Sequence, residues 1–124
     1  MRELSAEQMA RLTQVDYERE IAFLAVRDAT GETVGVARLV CEVGRTEGEF
    51  AVVVQPDTKG RGLARHLMLR LIDWARMRGV SAVVGQVLAD NAPMLAFVRG
   101  LGFTVQRLPD EDGIVEARLK LTGD

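Results

Sequence analysis

The chain has 124 residues, of which 48% are hydrophobic and 27% are charged; this composition excludes a disordered protein and leaves room for one hydrophobic core only. The 16 Lys and Arg against 18 Asp and Glu give a net charge of −2, so the sequence lacks the basic surplus of a nucleic-acid-binding protein. A single Cys and a single His exclude a disulfide framework and a zinc site built from these two residue types.

The start of the chain does not resemble a signal peptide, because residues 1–5 lead into a polar helical pattern without an apolar run. The longest apolar run, residues 21–26, is far shorter than a helix that spans a bilayer. The lone Cys41 fits a reducing compartment, and its place in a strand favours a buried apolar role. We therefore expect a cytoplasmic protein with no membrane segment, no nucleic-acid partner and no metal.

The first half of the chain predicts one helix followed by strands. Ser5 and Gln8 form a capping box, which predicts a short helix over residues 6–13. Apolar runs rich in strand-forming residues then alternate with turns that contain glycine. The predicted strands, which would form an antiparallel meander, cover residues 21–26, 33–42 and 49–54.

The second half of the chain alternates between helical and strand patterns. From Leu63 the apolar residues recur at helical spacing until Gly79, and Asn91 caps a second helix that ends at Gly102. Gly85 interrupts the apolar strand between the helices, which indicates a bulge, a close approach or simple packing. The predicted strands cover residues 82–88, 103–108 and 114–121. The element order predicts an α/β domain on a mixed sheet.

A glycine-rich loop joins the strand 49–54 to the first long helix. Gly60 and Gly62 stand at alternate positions, which allows successive backbone N–H groups to point at one anion. The helix N-terminus adds unpaired N–H donors, and Lys59 and Arg61 add positive charge, as does Arg65. The loop is a candidate pyrophosphate cradle, and a tight turn that uses glycine for its geometry is the alternative. The spacing fits neither a P-loop nor a dinucleotide fingerprint.

This loop resembles that of the GCN5-related N-acetyltransferases, whose acetyl-CoA motif reads Gln/Arg-x-x-Gly-x-Gly/Ala. Here Lys59 replaces the Gln or Arg, and Asn91 and the end of the next helix match a second family signature. The resemblance implies a mixed, mostly antiparallel sheet with helices on both faces, and acetyl-CoA as the co-substrate. It also implies that strands 49–54 and 82–88 run parallel and splay apart around the pantetheine. The loop residues implied to hold the pyrophosphate are Lys59, Gly60, Arg61, Gly62, Leu63 and Ala64.

The same resemblance assigns contacts along the pantetheine. Backbone groups of the strand that holds Val52 and Val54 would bind one side of it, and Asn91 would contact the other side. For Asn91, a role as a helix cap alone is an equally good interpretation, and both roles are compatible.

Acetylation of an amine requires a base, because a lysine amine with a pKa of about 10.4 is neutral in only about one molecule in 2,500 at pH 7. We favour Glu49 as this general base, because it starts the strand that enters the splay and because the segment from it resembles the catalytic strand of bacterial protein acetyltransferases. Glu47 is expected to be a solvated loop carboxylate, and Glu42 a surface charge at a strand end. Val98 stands where many members of the family carry a Tyr as general acid.

These features together resemble the bacterial protein lysine acetyltransferases that modify AMP-forming acyl-CoA synthetases. The resemblance implies transfer of an acetyl group to a protein lysine, with an acyl-CoA synthetase as partner. Two alternatives remain open: acetylation of a small-molecule amine, and a module that senses acyl-CoA without turnover.

The length is short for this family, whose fold begins with a strand and a helix before the element predicted after Ser5. We therefore expect residues 1–124 to form a single acetyltransferase domain of a longer protein, without that first strand and helix. An edge of the sheet would then be open and could pair with a second copy of the chain.

Overall fold

The computed structural model describes residues 10–17, 20–56, 62–109 and 111–122. They form seven strands and two helices in one layered α/β unit. The elements are β1 (Ala10–Tyr17), β2 (Glu20–Arg27), β3 (Thr33–Cys41), β4 (Glu47–Val54), α1 (Leu63–Met77), β5 (Ala82–Leu88), α2 (Ala92–Gly100), β6 (Thr104–Arg107) and β7 (Ile114–Lys120).

The seven strands form a single sheet in the order β1-β2-β3-β4-β5-β7-β6. Every neighbouring pair is antiparallel except β4 and β5, which are parallel and are connected through α1. The predicted mixed and mostly antiparallel sheet is confirmed. A parallel pair requires a crossover connection, and α1 supplies it.

The parallel pair is held together at one end only. Its ladder contains three pairs of residues and ends where Glu49 pairs with Val84. Beyond that pair, β4 continues to Val54 and β5 to Leu88 with no further pairing between them. The predicted splay between these strands is therefore confirmed, and it divides the sheet next to Glu49.

Both described helices lie against the same face of the sheet. In β4, the buried Phe50 and the half-buried Val52 and Val54 point to this face, whereas Ala51 and Val53 are exposed on the other. α1 buries one side against β2, β3 and β4, and a Cβ added to Gly35 of β3 would come within 3.0 Å of its Leu67. The resemblance implied helices on both faces, but within the described residues the second face has no helix.

The helix predicted over residues 6–13 is wrong for residues 10–13, which lie in β1. All eight residues of β1 pair with β2, from Ala10 opposite Arg27 to Tyr17 opposite Glu20. Thr13 and Val15 favour extended backbone, and pairing with the apolar strand β2 outweighs the local capping signal. Residues 1–9, which include the capping box, lie outside the described residues. Because β1 covers β2, residues 21–26 are not an edge strand, and within the described residues β1 forms this edge of the sheet.

Within the described residues, no helix is long and apolar enough to cross a membrane. The same residues contain no group of three or more His, Cys, Asp or Glu side chains that could hold a metal ion.

Candidate functional site

A cavity of about 470 Å³ opens on the helix-covered face, where the free part of β4 meets the N-terminal ends of α1 and α2. It brings together residues that are distant in the sequence. The lining residues are Val52, Val54, Gly62, Leu63, Ala64, Arg65, Asn91, Pro93, Met94 and Phe97. Six residues predicted for cofactor binding thus meet at one cavity: Val52, Val54, Gly62, Leu63, Ala64 and Asn91. The predicted Lys59, Gly60 and Arg61 lie outside the described residues.

The N-terminus of α1 contributes unpaired backbone donors to this cavity. Gly62 precedes the helix with φ 77° and ψ 9°, a left-handed conformation that glycine adopts without strain, and none of the described side chains caps the helix. The first amide groups of a helix have no partner within it. The helix dipole also makes this end attractive to an anion, and Arg65 adds a formal charge.

Asn91 caps α2 at the far wall of the cavity. Its Oδ1 accepts a hydrogen bond of 3.2 Å from the backbone N–H of Met94. The predicted role as an N-cap is confirmed, and Asn91 lines the cavity at the same time. The side chain is therefore held in place by the helix that it caps.

The sequence did not assign three lining residues of α2, Pro93, Met94 and Phe97, to the cavity. The apolar spacing of Met94 and Phe97 is the same as that of residues that face a core. Both are half-buried, since the splay leaves a space beside α2 that the sheet does not fill. The signal that could have found them is Asn91, because these residues lie within about two turns of it on the same helix.

Phe50 and Gly85 face each other at the point where the strands begin to separate. A Cβ on Gly85 would lie 2.5 Å from Cε1 of Phe50, so the ring occupies the space above the glycine. The ring also meets Phe103 edge to face, with centroids 5.3 Å apart. Of the three roles considered for Gly85, the close approach is the one observed.

Glu49 lies on the opposite, exposed face of the sheet, in the last pair of the β4–β5 ladder. It borders a smaller cavity of about 120 Å³. The other residues around this cavity are Val40, Glu42, Arg45, Glu47 and Val84. Among the described residues, none forms an ion pair with Glu49. The gap between β4 and β5 therefore separates a free carboxylate on one face from the larger cavity on the other.

Glu47 is not the solvated loop carboxylate that the sequence suggested. It begins β4, and Arg118 of β7 donates two hydrogen bonds to its carboxylate, of 2.5 and 3.4 Å. Nε of Arg118 donates a third bond, of 3.2 Å, to Glu116. The hydrogen bond from Arg118 lowers the pKa of Glu47, and the bond to Glu47 raises the pKa of Arg118. Glu47 and Arg118 are far apart in the chain, so no local pattern in the sequence indicated their contact.

Cys41 is half-buried in β3, and burial raises the pKa of its thiol. A thiol with a raised pKa is a poor nucleophile at neutral pH. The expectation that Cys41 packs as an apolar residue agrees with this environment.

The family model described as "Acetyltransferase (GNAT) family" matches residues 2–103. The chain is 36% identical to an acetyltransferase of Pseudomonas aeruginosa over 98% of its own length and 66% of that protein. It is 38% identical to the L-methionine sulfoximine/L-methionine sulfone acetyltransferase of Salmonella typhimurium, over 53% of this chain and 39% of that one. It is also 38% identical to the ribosomal protein bS18 alanine N-acetyltransferase of Escherichia coli, over 55% of this chain and 49% of the relative.

Two solved structures share the fold and some sequence. The GNAT domain of S. lividans PAT superposes with a TM-score of 0.75 at 28% identity, over 95% of this chain and 70% of that one. The yncA acetyltransferase of Salmonella typhimurium with its cofactor acetyl-CoA superposes with a TM-score of 0.70 at 26% identity, over 85% of this chain and 66% of that one.

Proposed function

This chain belongs to the GNAT acetyltransferase family, and on that premise we propose that it transfers an acetyl group from acetyl-CoA to the Nε-amine of a protein lysine, with Glu49 as the general base. The observation that carries the proposal is the splay, because it lies between a cavity suited to an anionic ligand on one face and an exposed carboxylate on the other. The chain spans 66% of the Pseudomonas relative, so the activity of the whole protein is part of the proposal.

The residues around the larger cavity fit acetyl-CoA. The unpaired N–H groups that follow Gly62 at the start of α1 suit a pyrophosphate, as in the motif formed by Lys59, Gly60, Arg61, Gly62, Leu63 and Ala64. Beyond Glu49, the side of β4 that faces β5 has no strand partner among the described residues. Its backbone groups near Val52 and Val54 are therefore available to hydrogen-bond a pantetheine arm, and Asn91 would bound the arm on the other side.

Glu49 would act at the amine. Acetyl-CoA supplies an activated acyl group: the amine nitrogen forms a bond to the thioester carbonyl carbon, the C–S bond breaks, and coenzyme A leaves as the thiolate. Before attack, the carboxylate of Glu49 takes a proton from the ammonium group, directly or through a water molecule. The fully buried Val98 supplies no side-chain acid for the thiolate. Water therefore carries to the thiolate the second proton, which the nitrogen loses as the amide forms.

The surroundings of Glu49 support a cationic acceptor that approaches from outside. Glu49 is exposed, and the side chains of Ala51 and Val53 that follow it on the same face are exposed as well, so a lysine on the surface of another protein can reach this position. Carboxylates outnumber arginines around the smaller cavity, which attracts an ammonium group. An AMP-forming acyl-CoA synthetase in the cytoplasm is the partner that the resemblance suggests.

Acetylation of a small-molecule amine is the second candidate function. It is favoured by the similarity to the methionine sulfoximine acetyltransferase, whose acceptor is small. A module that binds acyl-CoA without turnover is the third.

One assay distinguishes these functions. The protein is incubated with acetyl-CoA and, separately, with lysine-containing peptides, acyl-CoA synthetases and small amines, while release of free thiol is followed. Turnover on protein lysines supports the proposal, turnover on small amines alone replaces it with the second function, and tight binding without turnover leaves the third.

The role of Glu49 has its own test. Glu49→Gln removes the proton acceptor at nearly constant shape, so kcat is expected to fall by about 10² or more while the Kd for acetyl-CoA stays constant. Asp73→Asn, the same chemical change on the exposed side of α1, is the matched control. An unchanged kcat in Glu49→Gln would assign the base to another group.

A further inference from the structure

We propose that Glu47 is a positioning residue: together with Glu116 it holds the guanidinium of Arg118 away from Glu49, so that the Glu49 carboxylate stays free to accept a proton. The inference rests on the proposed role of Glu49, and it assigns a function to an ion pair that the acetyl-transfer step itself does not use.

The strand register places Arg118 within reach of Glu49. Val84 of β5 pairs with Glu49 of β4 on one side and with Arg118 of β7 on the other. Glu49 and Arg118 therefore stand on one line across three strands, about 10 Å apart at the backbone. Side chains in one such line point to the same face of the sheet.

Arg118 does not follow this line. It extends diagonally to Glu47, which pairs with Ala82, two residues before Val84 along β5. Because the diagonal path between the backbones is the longer one, a guanidinium that reaches Glu47 is long enough to reach Glu49. The two hydrogen bonds that Arg118 donates to Glu47 and the one that it donates to Glu116 decide which carboxylate it binds.

The choice of partner matters for the chemistry. A carboxylate beside an arginine is held in its charged form, which lowers its pKa and makes it a weaker proton acceptor. Glu47, whose pKa is lowered by Arg118, shows this effect. If Glu47 did not bind Arg118, the guanidinium could lie beside Glu49 and make Glu49 the weaker proton acceptor.

Other charged groups also lie around Glu49. On the neighbouring strands, Arg38 pairs with Glu20 at 3.3 Å. In the turn before β4, Arg45 lies 3.9 Å from Glu47. Glu42 borders the same small cavity and is repulsive to Glu49 rather than attractive. Arg45 shares Glu47 with Arg118, but Arg118 donates two hydrogen bonds to this carboxylate, so Arg118 is the cation that Glu47 holds more closely.

The pKa of Glu49 in two variants tests the proposal, because the variants are expected to differ. In Glu47→Gln, Arg118 loses its main partner and is expected to turn to Glu49, which lowers the pKa of Glu49 by about one unit or more. In Arg118→Gln, the cation is gone, so the pKa of Glu49 is expected to stay the same or rise. A merely structural ion pair predicts the same result for both variants, because either substitution breaks it.

The pKa is measured directly by NMR titration of ¹³C-labelled glutamate side chains in the full chain, with Glu49→Gln used to assign the Glu49 signal. Thermal unfolding of each variant checks that it is folded, and Asp73→Asn, which removes an exposed pair on α1, is the control with no expected shift. The double variant Glu47→Gln/Arg118→Gln is expected to restore the titration of Glu49 to the wild-type range.

The kinetic counterpart is the pH profile of kcat on a lysine peptide. Its acidic limb is expected to move to lower pH in Glu47→Gln, with kcat at neutral pH reduced about tenfold, an unchanged KM for acetyl-CoA and recovery in the double variant. If Glu49 titrates identically in the wild type and in Glu47→Gln, the positioning role is overturned even where Glu49→Gln is inactive. If Glu49→Gln keeps full kcat, the base assignment fails and the positioning role fails with it.

Discussion

Phe50 of β4 lies over Gly85 of β5, with its Cε1 2.5 Å from the position that a Cβ on Gly85 would take. This contact stands directly after the last pair of the parallel ladder. The missing side chain of Gly85 gives the ring its place in the core, next to Phe103. At the start of the splay, the Phe50 ring therefore fills the space that a side chain on Gly85 would take.

The first prediction concerns this contact. Gly85→Ala is expected to lower the free energy of unfolding by about 1–3 kcal/mol, because Phe50 must move out of a packed position. Denaturant unfolding measures the change. Gly100→Ala is the matched control: it lies in α2 with nothing within 4 Å of an added Cβ, and it is expected to be neutral or stabilising. Equal stability of Gly85→Ala and wild type would contradict the packing argument.

The second prediction separates strain from ligand contact at Gly62. A Cβ there meets no atom of the described residues within 4 Å, but φ is +77°, so Gly62→Ala costs about 1–2 kcal/mol of backbone strain. Gly62 lines the larger cavity, so the same Cβ is expected to obstruct the ligand and to raise the Kd for acetyl-CoA about tenfold or more.

Gly79→Ala is the control for this change, since Gly79 has the same φ of +77° and the same open space at the other end of α1. It should show a similar loss of stability with an unchanged Kd in isothermal titration calorimetry. A rise in Kd of equal size in both variants would mean that strain alone explains the effect.

The third prediction concerns the two roles of Asn91. Asn91→Ala removes the cap on Met94 and is expected to cost about 1 kcal/mol of stability, together with weaker acetyl-CoA binding. Asn91→Ser keeps a capping oxygen but shortens the side chain. It should therefore retain most of the stability while losing affinity, as measured by thermal unfolding and calorimetry. Wild-type affinity in both variants would leave Asn91 as a cap only.

The fourth prediction is the pH dependence of the Glu47–Arg118 pair. Arg118 lowers the pKa of Glu47 in the folded chain, so the unfolded chain binds more protons at Glu47 between the two pKa values. The stabilisation is therefore complete above the ordinary glutamate pKa of about 4.3, and it is lost as the pH falls through the lower folded value.

Arg118→Gln tests this sign. It should cost up to about 1 kcal/mol at pH 7, because the pair is partly exposed to solvent, and the difference from wild type should shrink below about pH 4. Urea unfolding at several pH values measures both. A difference that grows on acidification would reverse the sign and contradict the pairing.

Local signals in the sequence were sufficient to predict one half of the site. The glycine before Leu63 and the cap at Asn91 each act within one helical turn, so they could be recognised without knowledge of the fold. The parallel splay followed from the resemblance to the family and was confirmed by the strand register.

The remaining parts depend on contacts between distant residues. The pairing of β1 with β2 replaced a helix expected at residues 10–13, because a neighbouring apolar strand outweighed a local capping box. The contact between Glu47 and Arg118 requires that β4, β5 and β7 be neighbours, and no spacing in the sequence encodes that. The ring above Gly85 is likewise a consequence of the sheet order.

The three-pair ladder between β4 and β5 also joins two halves of the sheet. One half consists of β1 to β4 and the other of β5, β7 and β6, and they are joined at the end where Ser81 hydrogen-bonds to Thr46. A ligand arm that fills the opening would bridge both halves and protect the amides of residues 51–54 from hydrogen exchange. Binding would then complete the sheet, and ligand affinity would add directly to the resistance of the fold to opening.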